Sequence, residues 1–335
     1  MKSQAVVFTA RNQVEYREVD CPDPGPNDVV IDVEHSWISN GTEGSFLRGE
    51  RESGDTAWNE GDPLPFPIVA GYQKVGVVTH VGADVTKFSL GERVFAVMSQ
   101  FEGLFCEYGG HVSPSVCDAN QVHTLPEGAD PVACSGAVLT QVGYNCGTRP
   151  RIKPGQLAVV VGDGMVGHWT GQALKQRGAR VVLTGRHDDR LDRFRNGGWG
   201  ETLKVKGSGV EEVKAIANGP VEVLVDTIGN MSLYDDYLPI MAHGGTVVSA
   251  GFYGTADLLP IQTYRFQELA FDLCAGITYE RVDATLAWIA EGKMDTLGLI
   301  THHFPVEQAA EAWKVIENKT DNALGVVLDW PASRK

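Results

Sequence analysis

The sequence predicts an α/β fold in which a β-rich domain is interrupted by a doubly wound parallel sheet. A chain of 335 residues suits two domains better than a single core. Short β-branched runs separated by Gly, Pro and Asp fill residues 1–125, and strand-like and helix-like segments alternate from Leu157 onward. We therefore expect the first part of the β-rich domain at 1–125, the parallel-sheet domain at 126–279, and a return segment of the β-rich domain at 280–335.

Hydrophobic periodicity locates the elements of each segment. In the β-rich segment, strands are expected at 28–33, 75–81 and 93–97. In the parallel-sheet segment, strands are expected at 157–161, 180–184, 221–226, 245–250 and 273–277, with a helix at 165–177. In the return segment, amphipathic helices are expected at 282–291 and 306–318, and a closing strand at 325–329.

Composition and charge exclude several classes of function. The formal net charge of −15 repels phosphate backbones and anionic lipid surfaces, so we expect neither a nucleic acid nor a membrane as a partner. No apolar run approaches the ~18 residues of a membrane span, and the N-terminal apolar stretch is too short for a signal peptide. The six cysteines form no C-x-x-C pair. These features predict a soluble, cytoplasmic protein with reduced thiols that acts on a small molecule.

The motif Gly162-Asp163-Gly164-Met165-Val166-Gly167 follows an apolar strand and opens a helix. This G-x-G-x-x-G spacing in a strand-turn-helix-strand frame is typical of the Rossmann dinucleotide site. Gly162 permits the tight turn, Gly164 lets the backbone approach a pyrophosphate, and Gly167 lets helix and strand pack closely. Free N–H groups at the helix N-terminus would then bind the phosphates.

The end of the second strand determines which nicotinamide cofactor is expected. An NAD site places a carboxylate there for the ribose 2′-hydroxyl, whereas an NADP site offers a cation to the 2′-phosphate. In this chain Gly185 stands where the acid would be, Arg186 follows it, and Arg190 lies one helical turn farther on. We expect NADP(H) to be favoured over NAD(H), although Asp188 and Asp189 nearby leave NAD open.

Several short motifs resemble the medium-chain dehydrogenase/reductase superfamily, which includes zinc-type alcohol dehydrogenases and quinone reductases. Besides the Rossmann loop, they are Gly71-Tyr72-Gln73-Lys74-Val75-Gly76, Gly91-Glu92-Arg93-Val94, Cys106-Glu107-Tyr108, Leu125-Pro126-Glu127-Gly128, Val225-Asp226-Thr227-Ile228-Gly229 and the tail from Ile300 to Val306. The resemblance implies a GroES-like catalytic domain, an NAD(P)-dependent oxidoreductase and a homodimer. It also implies cofactor contacts from Thr140, Met165, Val166, Thr227 and Gly251.

Zinc members of this superfamily carry a cysteine and a Gly-His-Glu motif at positions where this chain differs. The cysteine is replaced by Asn40, the histidine by Tyr72 and the glutamate by Gln73. An amide and a neutral phenol are poor substitutes for thiolate and imidazole at a tetrahedral zinc. Cys134 lies near a further ligand position but out of register. We expect no zinc.

Without zinc, hydrogen-bond donors must stabilise the charge that grows on a substrate carbonyl oxygen. Tyr72 offers a phenol that could donate to this oxygen and pass a proton. Thr42 matches the family's proton-relay hydroxyl, and Asn40 could orient the substrate through its amide. The alternative is that Tyr72 and Asn40 only fill the space that the metal vacated.

Three functions remain open on the sequence alone. The first is reversible oxidation of a secondary alcohol to a ketone, because the N-terminal motifs resemble the alcohol dehydrogenases. The second is zinc-free reduction of a quinone or an activated C=C bond, and the third is a non-catalytic NADPH-binding sensor. The segment from Ile38 to Glu43 and the ending Val327 to Trp330 are similar to the branch that contains bacteriochlorophyllide hydroxyethyl dehydrogenase.

Overall fold

A computed structural model describes residues 1–53, 56–253, 258–318 and 322–331. The chain forms two compact units: unit 1 comprises Met1–Val138 and Ile300–Lys335, and unit 2 comprises Leu139–Leu299. Both boundaries lie later in the chain than those that the sequence predicts, at 125/126 and 279/280. The segment that contains Trp288 belongs to unit 2 because Trp288 packs edge-on against Tyr144 of that unit, with ring centroids 4.9 Å apart.

The helices have the following bounds: α1 (Asn40–Leu47), α2 (Pro131–Cys134), α3 (Ala137–Thr148), α4 (Met165–Gln176), α5 (Asp188–Asn196), α6 (Val210–Ile216), α7 (Ser232–Tyr237), α8 (Ile261–Arg265), α9 (Tyr279–Ala290) and α10 (Ala309–Asn318). Short 3-10 turns lie at Ala119–Gln121, Leu238–Ile240, Leu297–Leu299 and Val306–Gln308.

The strands of the first 125 residues are β1 (Lys2–Ala10), β2 (Gln13–Asp20), β3 (Asp28–Trp37), β4 (Arg51–Ser53), β5 (Thr56–Ala57), β6 (Ile68–Val69), β7 (Lys74–Val81), β8 (Arg93–Ala96), β9 (Ser99–Gln100), β10 (Tyr108–Gly109), β11 (Val112–Ser113), β12 (Ser115–Asp118) and β13 (Val122–Thr124). Those that follow are β14 (Leu157–Val161), β15 (Arg180–Gly185), β16 (Glu201–Lys204), β17 (Val221–Asp226), β18 (Met241–Ser249), β19 (Ala270–Leu273), β20 (Ile300–Pro305) and β21 (Gly325–Asp329).

The main sheet of unit 1 joins the first and last parts of the chain. Its strand order is β13-β8-β7-β3-β21-β20, and β21 pairs antiparallel with β3. The return strands therefore complete a sheet that the N-terminal segment begins. Beneath it lies a core of mostly β-branched and aromatic side chains, in which α10 buries Trp313 edge-on against Phe8 at 5.3 Å.

Unit 2 is built on one parallel sheet with the strand order β16-β15-β14-β17-β18-β19. Strand β14 is apolar along its whole length and β17 is mostly apolar, as expected for parallel strands covered by helices on both faces. The expected strands at 157–161 and 221–226 have the bounds that the sequence predicted. This is the doubly wound α/β fold.

Several elements differ from their sequence predictions: the strand expected at 245–250 begins at Met241, and the helix expected at 282–291 begins at Tyr279. The strand expected at 273–277 lies at Ala270–Leu273, because the ladder to β18 ends at the pair Ser249 and Leu273. The helix expected at 306–318 begins at Ala309, since the preceding residues form a 3-10 turn.

Within the described ranges, no helix combines the length and apolar character needed to cross a bilayer.

We predict that Trp313→Ala lowers the free energy of unfolding by about 3–5 kcal/mol, because it removes a large ring from the core of unit 1. Trp313 is 1 % exposed and contacts both Phe8 and His111. Urea unfolding followed by far-UV circular dichroism measures the loss. The control is Lys314→Ala on the exposed face of the same helix, expected within about 0.5 kcal/mol of wild type; equal effects of the two changes would contradict the assignment.

Candidate active site

The parallel pairing of unit 2 brings four loops to one edge of its sheet. Strands β15, β14, β17 and β18 are consecutive neighbours and run in the same direction. The segments that follow them therefore emerge side by side at the carboxyl end of the sheet. Ligands of open α/β sheets bind at this edge.

The glycine-rich loop has the geometry that a pyrophosphate site requires. Gly162 adopts φ +116°, which L side chains rarely reach. A Cβ on Gly167 would lie 1.9 Å from the Gly162 carbonyl oxygen, so this glycine allows close contact between helix and loop. Gly164 faces open space, and α4 begins after it with no side-chain cap on its N–H groups. These groups fit a dinucleotide phosphate.

The other expected cofactor residues of unit 2 line the same edge or the adjoining helices. Thr227 follows β17 and donates its hydroxyl to the Val161 carbonyl at 2.8 Å. Gly251 follows β18 and is held by its N–H on the Asp226 carbonyl at 3.0 Å. Met165 and Val166 form the first turn of α4, and Thr140 lies buried in the first turns of α3.

The loop after β17 is held in place by Asp226, a residue that sequence reasoning did not single out. Its carboxylate accepts hydrogen bonds from the N–H groups of residues 228, 229 and 230 and from the Tyr253 hydroxyl, which is 2.7 Å away. Asp226 is fully buried. In the sequence, the pattern Val225-Asp226-Thr227-Ile228-Gly229 indicates family resemblance and does not reveal this role of Asp226.

At the end of β15 the structure places a carboxylate that the sequence did not predict there. The Asp163 side chain, from the glycine loop, accepts the N–H groups of Arg186 and His187 at 2.7 and 2.8 Å. A Cβ on Gly185 would lie 2.3 Å from this carboxylate. Gly185 is therefore needed to admit Asp163.

The charge of Asp163 is locally compensated. Burial by itself would raise the pKa of this carboxyl, but hydrogen bonds from His187 and Arg186 outweigh that effect and lower the pKa. The Arg190 guanidinium lies 3.9 Å away. The Arg186 guanidinium is exposed and forms no ion pair with another described residue.

In unit 1, three expected catalytic residues meet around the start of α1. Asn40 and Thr42 belong to the first turn of this helix, and Tyr72 lies in the loop before β7. The Tyr72 hydroxyl is within hydrogen-bonding reach of the side chains of Ser39 and Thr42. Burial raises the pKa of Tyr72 above its ordinary value, and the nearby Glu43 adds to the rise. The phenol therefore stays protonated at neutral pH and is a donor rather than a base.

The first turn of α1 rests on a buried pair that sequence reasoning missed. Glu43 accepts the Ser39 N–H at 2.7 Å with one oxygen and contacts His111 Nε2 at 3.0 Å with the other. His111 Nδ1 lies 2.8 Å from the Ser36 hydroxyl, which accepts the Trp330 indole N–H at 2.9 Å. The sequence gives no local signal for this pair, because His111 lies 68 positions from Glu43.

The residues at the zinc-ligand positions do not fit a zinc ion. Asn40 donates its amide to the Leu324 carbonyl at 2.8 Å, Gln73 donates to the Trp37 carbonyl at 3.1 Å, and Tyr72 is a protonated phenol. Burial raises the pKa of the Cys134 thiol to about 12, far from a thiolate ligand. Among the residues that the structure describes, no group of three or more His, Cys, Asp or Glu side chains is arranged to hold a metal.

Comparison with known proteins assigns the family. Residues 25–142 match the alcohol dehydrogenase GroES-like domain, and residues 166–291 match the zinc-binding dehydrogenase domain. A curated relative, 2-desacetyl-2-hydroxyethyl bacteriochlorophyllide A dehydrogenase of Rhodobacter capsulatus, is 27% identical over 98% of this chain and 99% of its own length. The chain belongs to the medium-chain dehydrogenase/reductase superfamily, among its zinc-type alcohol dehydrogenase-like members.

The family resemblance, the α/β fold class and the assignment as an oxidoreductase are thereby confirmed. Two solved structures share the fold. A zinc-binding dehydrogenase from Sinorhizobium meliloti, bound to NADP, has a TM-score of 0.82 at 21% identity and covers 98% of this chain and 99% of its own. An alcohol dehydrogenase from Escherichia coli, in complex with NADH, has a TM-score of 0.84 at 19% identity with the same coverage.

We predict that Glu43→Ala destabilises this dehydrogenase by about 1–3 kcal/mol for each of the two buried groups left unpaired, the Ser39 N–H and the His111 ring. Thermal unfolding followed by circular dichroism measures the change. Glu43→Gln keeps the size of the side chain and an acceptor for Ser39, so its loss should be smaller. The control is Glu60→Ala on the surface, and a loss no larger than that of the control would show that the pair adds nothing to stability.

Proposed function

We propose that this oxidoreductase transfers hydride between NADP(H) and a secondary alcohol or ketone without a catalytic zinc ion. One observation carries the proposal: the positions of the family's zinc ligands hold organic side chains engaged in hydrogen bonds, with the Tyr72 phenol beside the hydroxyls of Ser39 and Thr42. The relative from Rhodobacter capsulatus is named for the dehydrogenation of a hydroxyethyl group, which is chemistry of the same class.

A reduced nicotinamide would supply the hydride, and the residues of unit 1 would manage the proton and the developing negative charge. Since burial keeps Tyr72 protonated, its hydroxyl can donate a hydrogen bond to a carbonyl oxygen and then its proton to the alkoxide. The hydroxyl of Thr42, which is partly exposed, is placed to relay a proton from water to the phenolate, with the Ser39 hydroxyl beside it. Together they would perform the charge stabilisation that zinc performs in related enzymes.

Asn40 is suited to orienting the substrate. Its Nδ2 donates to the Leu324 carbonyl, which fixes the amide plane, while its buried Oδ1 has no hydrogen-bond partner among the described residues. A buried polar atom without a partner costs free energy, and a hydroxyl donor from a bound alcohol would satisfy it. This arrangement favours a substrate that carries a hydroxyl group.

The preference for NADP(H) rests on the charges at the end of β15. Arg186 presents an exposed guanidinium, and the side chains of His187 and Arg190 lie beside Asp163. Asp163 would oppose a 2′-phosphate, but its charge is compensated by two N–H groups and the His187 ring. The net arrangement favours an anion near Arg186.

We predict that Tyr72→Phe lowers the kcat of ketone reduction by about 10²–10⁴-fold, the usual range for loss of a proton donor. Because the pKa of Tyr72 is raised, the wild-type rate should show no decline from this phenol between about pH 6 and 9. Turnover on ketones, enones and quinones is followed by NADPH fluorescence, with the zinc content of the protein measured in parallel. The matched control is Tyr108→Phe, which removes an exposed hydroxyl elsewhere in unit 1.

The same panel separates the alternatives. Turnover on quinones or enones but not ketones, unaffected by Tyr72→Phe, would favour hydride delivery to an electron-poor carbon. Tight NADPH binding with no turnover on any class would favour a sensor. Stoichiometric zinc in freshly purified protein would contradict the metal-free mechanism.

We predict that Arg186→Gln weakens NADPH binding by about 10- to 100-fold and leaves NADH binding unchanged, because it removes a charged hydrogen bond of about 1.5–3 kcal/mol. Titration of cofactor fluorescence gives both dissociation constants without a substrate. Lys175→Gln removes one positive charge from the opposite end of α4 and is the control. Wild-type protein that binds NADH more tightly than NADPH would overturn the preference.

A further inference from the structure

In unit 2, helix α3 lies beside the chain segment that continues from β19. Gln141 of α3 donates its amide to the Gly276 carbonyl at 3.3 Å, and the Arg149 guanidinium lies 3.3 Å from the Asp272 carboxylate. Asp272 lies in β19, and Gly276 lies three residues beyond the end of this strand. Two polar contacts thus hold the helix against this segment.

Cys146 and Cys274 face one another between these two contacts. Cys146 lies three residues before Arg149, on the same helix surface, and Cys274 lies two residues after Asp272. The two thiols are within hydrogen-bonding reach of each other. Both belong to the same apolar cluster, in which Cys146 is fully buried and Cys274 packs at its margin.

The two cysteines differ in accessibility and in acidity, as an attacking and a resolving thiol should. Cys274 is partly exposed, and its hydrogen bond with Cys146 lowers the pKa of its thiol, with the Arg149 and Arg281 guanidinium groups acting in the same direction. Cys146 is buried, and the pKa of its thiol is raised. A thiolate next to cations and open to solvent is the form that reacts with oxidants.

We propose that Cys146 and Cys274 are a redox modification site that forms a disulfide when hydroperoxides oxidise the protein. The Cys274 thiolate attacks a peroxide oxygen, so that an S–O bond forms, the O–O bond breaks and hydroxide or alkoxide leaves. The Cys146 thiol then attacks the Cys274 sulfenic acid, the S–S bond forms and water leaves with the thiol proton. A small dithiol reverses the bond by exchange.

The bond would join α3 to the carboxyl end of the parallel sheet. It closes most of unit 2 into one covalent loop and so restricts the unfolded chain. The other cysteines are arranged differently: Cys21, Cys117 and Cys134 are buried, and Cys106 is exposed in unit 1. The site is independent of hydride transfer, since neither sulfur belongs to the proposed catalytic or cofactor residues.

The test treats reduced full-length protein with hydrogen peroxide and maps the linked peptides without reduction. Trypsin alone does not resolve the pair, because residues 94–148 contain no Lys or Arg and hold four cysteines. A second cleavage after Glu127 and Tyr144 separates Cys146 from the other three. We expect a Cys146–Cys274 peptide, the loss of two titratable thiols per chain before the rest, and a rise of several degrees in melting temperature that dithiothreitol reverses.

Matched serine variants show which of the two thiols is oxidised first. In Cys146→Ser, the sulfenic acid of Cys274 should persist and be trapped by dimedone, whereas wild type should give little adduct. Cys274→Ser should leave Cys146 reduced, and Cys106→Ser should behave as wild type. The proposal is overturned if the linked peptide is absent from oxidised wild type, or if Cys274 is trapped equally in wild type and in Cys146→Ser.

Discussion

The parallel ladder of β15, β14, β17 and β18 is the constraint on which the candidate site of unit 2 depends. Parallel neighbours must return through crossovers, so the loops that follow them emerge at one edge. The glycine loop, Thr227 and Gly251 share that edge for this reason. Close contact between Gly167 and the Gly162 carbonyl then fixes the N-terminus of α4 at the same place.

In unit 1, hydrogen bonds hold the polar side chains at the start of α1 in place. The start of α1, which carries Asn40 and Thr42, is held by Glu43, and Glu43 is itself held by His111. Both side chains of this buried pair form hydrogen bonds, because an unpaired polar group in a low-polarity interior costs free energy.

Sequence reasoning singled out the glycine loop but did not predict the contacts of its second residue, Asp163. In the G-x-G-x-x-G motif, Asp163 occupies a position that any residue can fill. The presence of Gly185 in place of an acidic residue at the end of β15 favoured NADP(H). In the folded chain, the Asp163 carboxylate occupies the space that Gly185 leaves open and accepts the two N–H groups at the end of β15. An acid can thus reach the end of β15 from the neighbouring loop, and no spacing rule along the chain reveals it.

The sequence by itself determined the class of fold, the family, the glycine loop and the loss of the zinc-ligand residues, because each depends on local pattern or on residue identity. It also located strands such as β14 and β17 to the residue, since their apolar runs end sharply at turns. Only the tertiary structure decided which distant groups meet: Glu43 with His111, Asp163 with the end of β15, and Cys146 with Cys274. These contacts join residues far apart in sequence, and packing of whole elements rather than any local propensity brings them together.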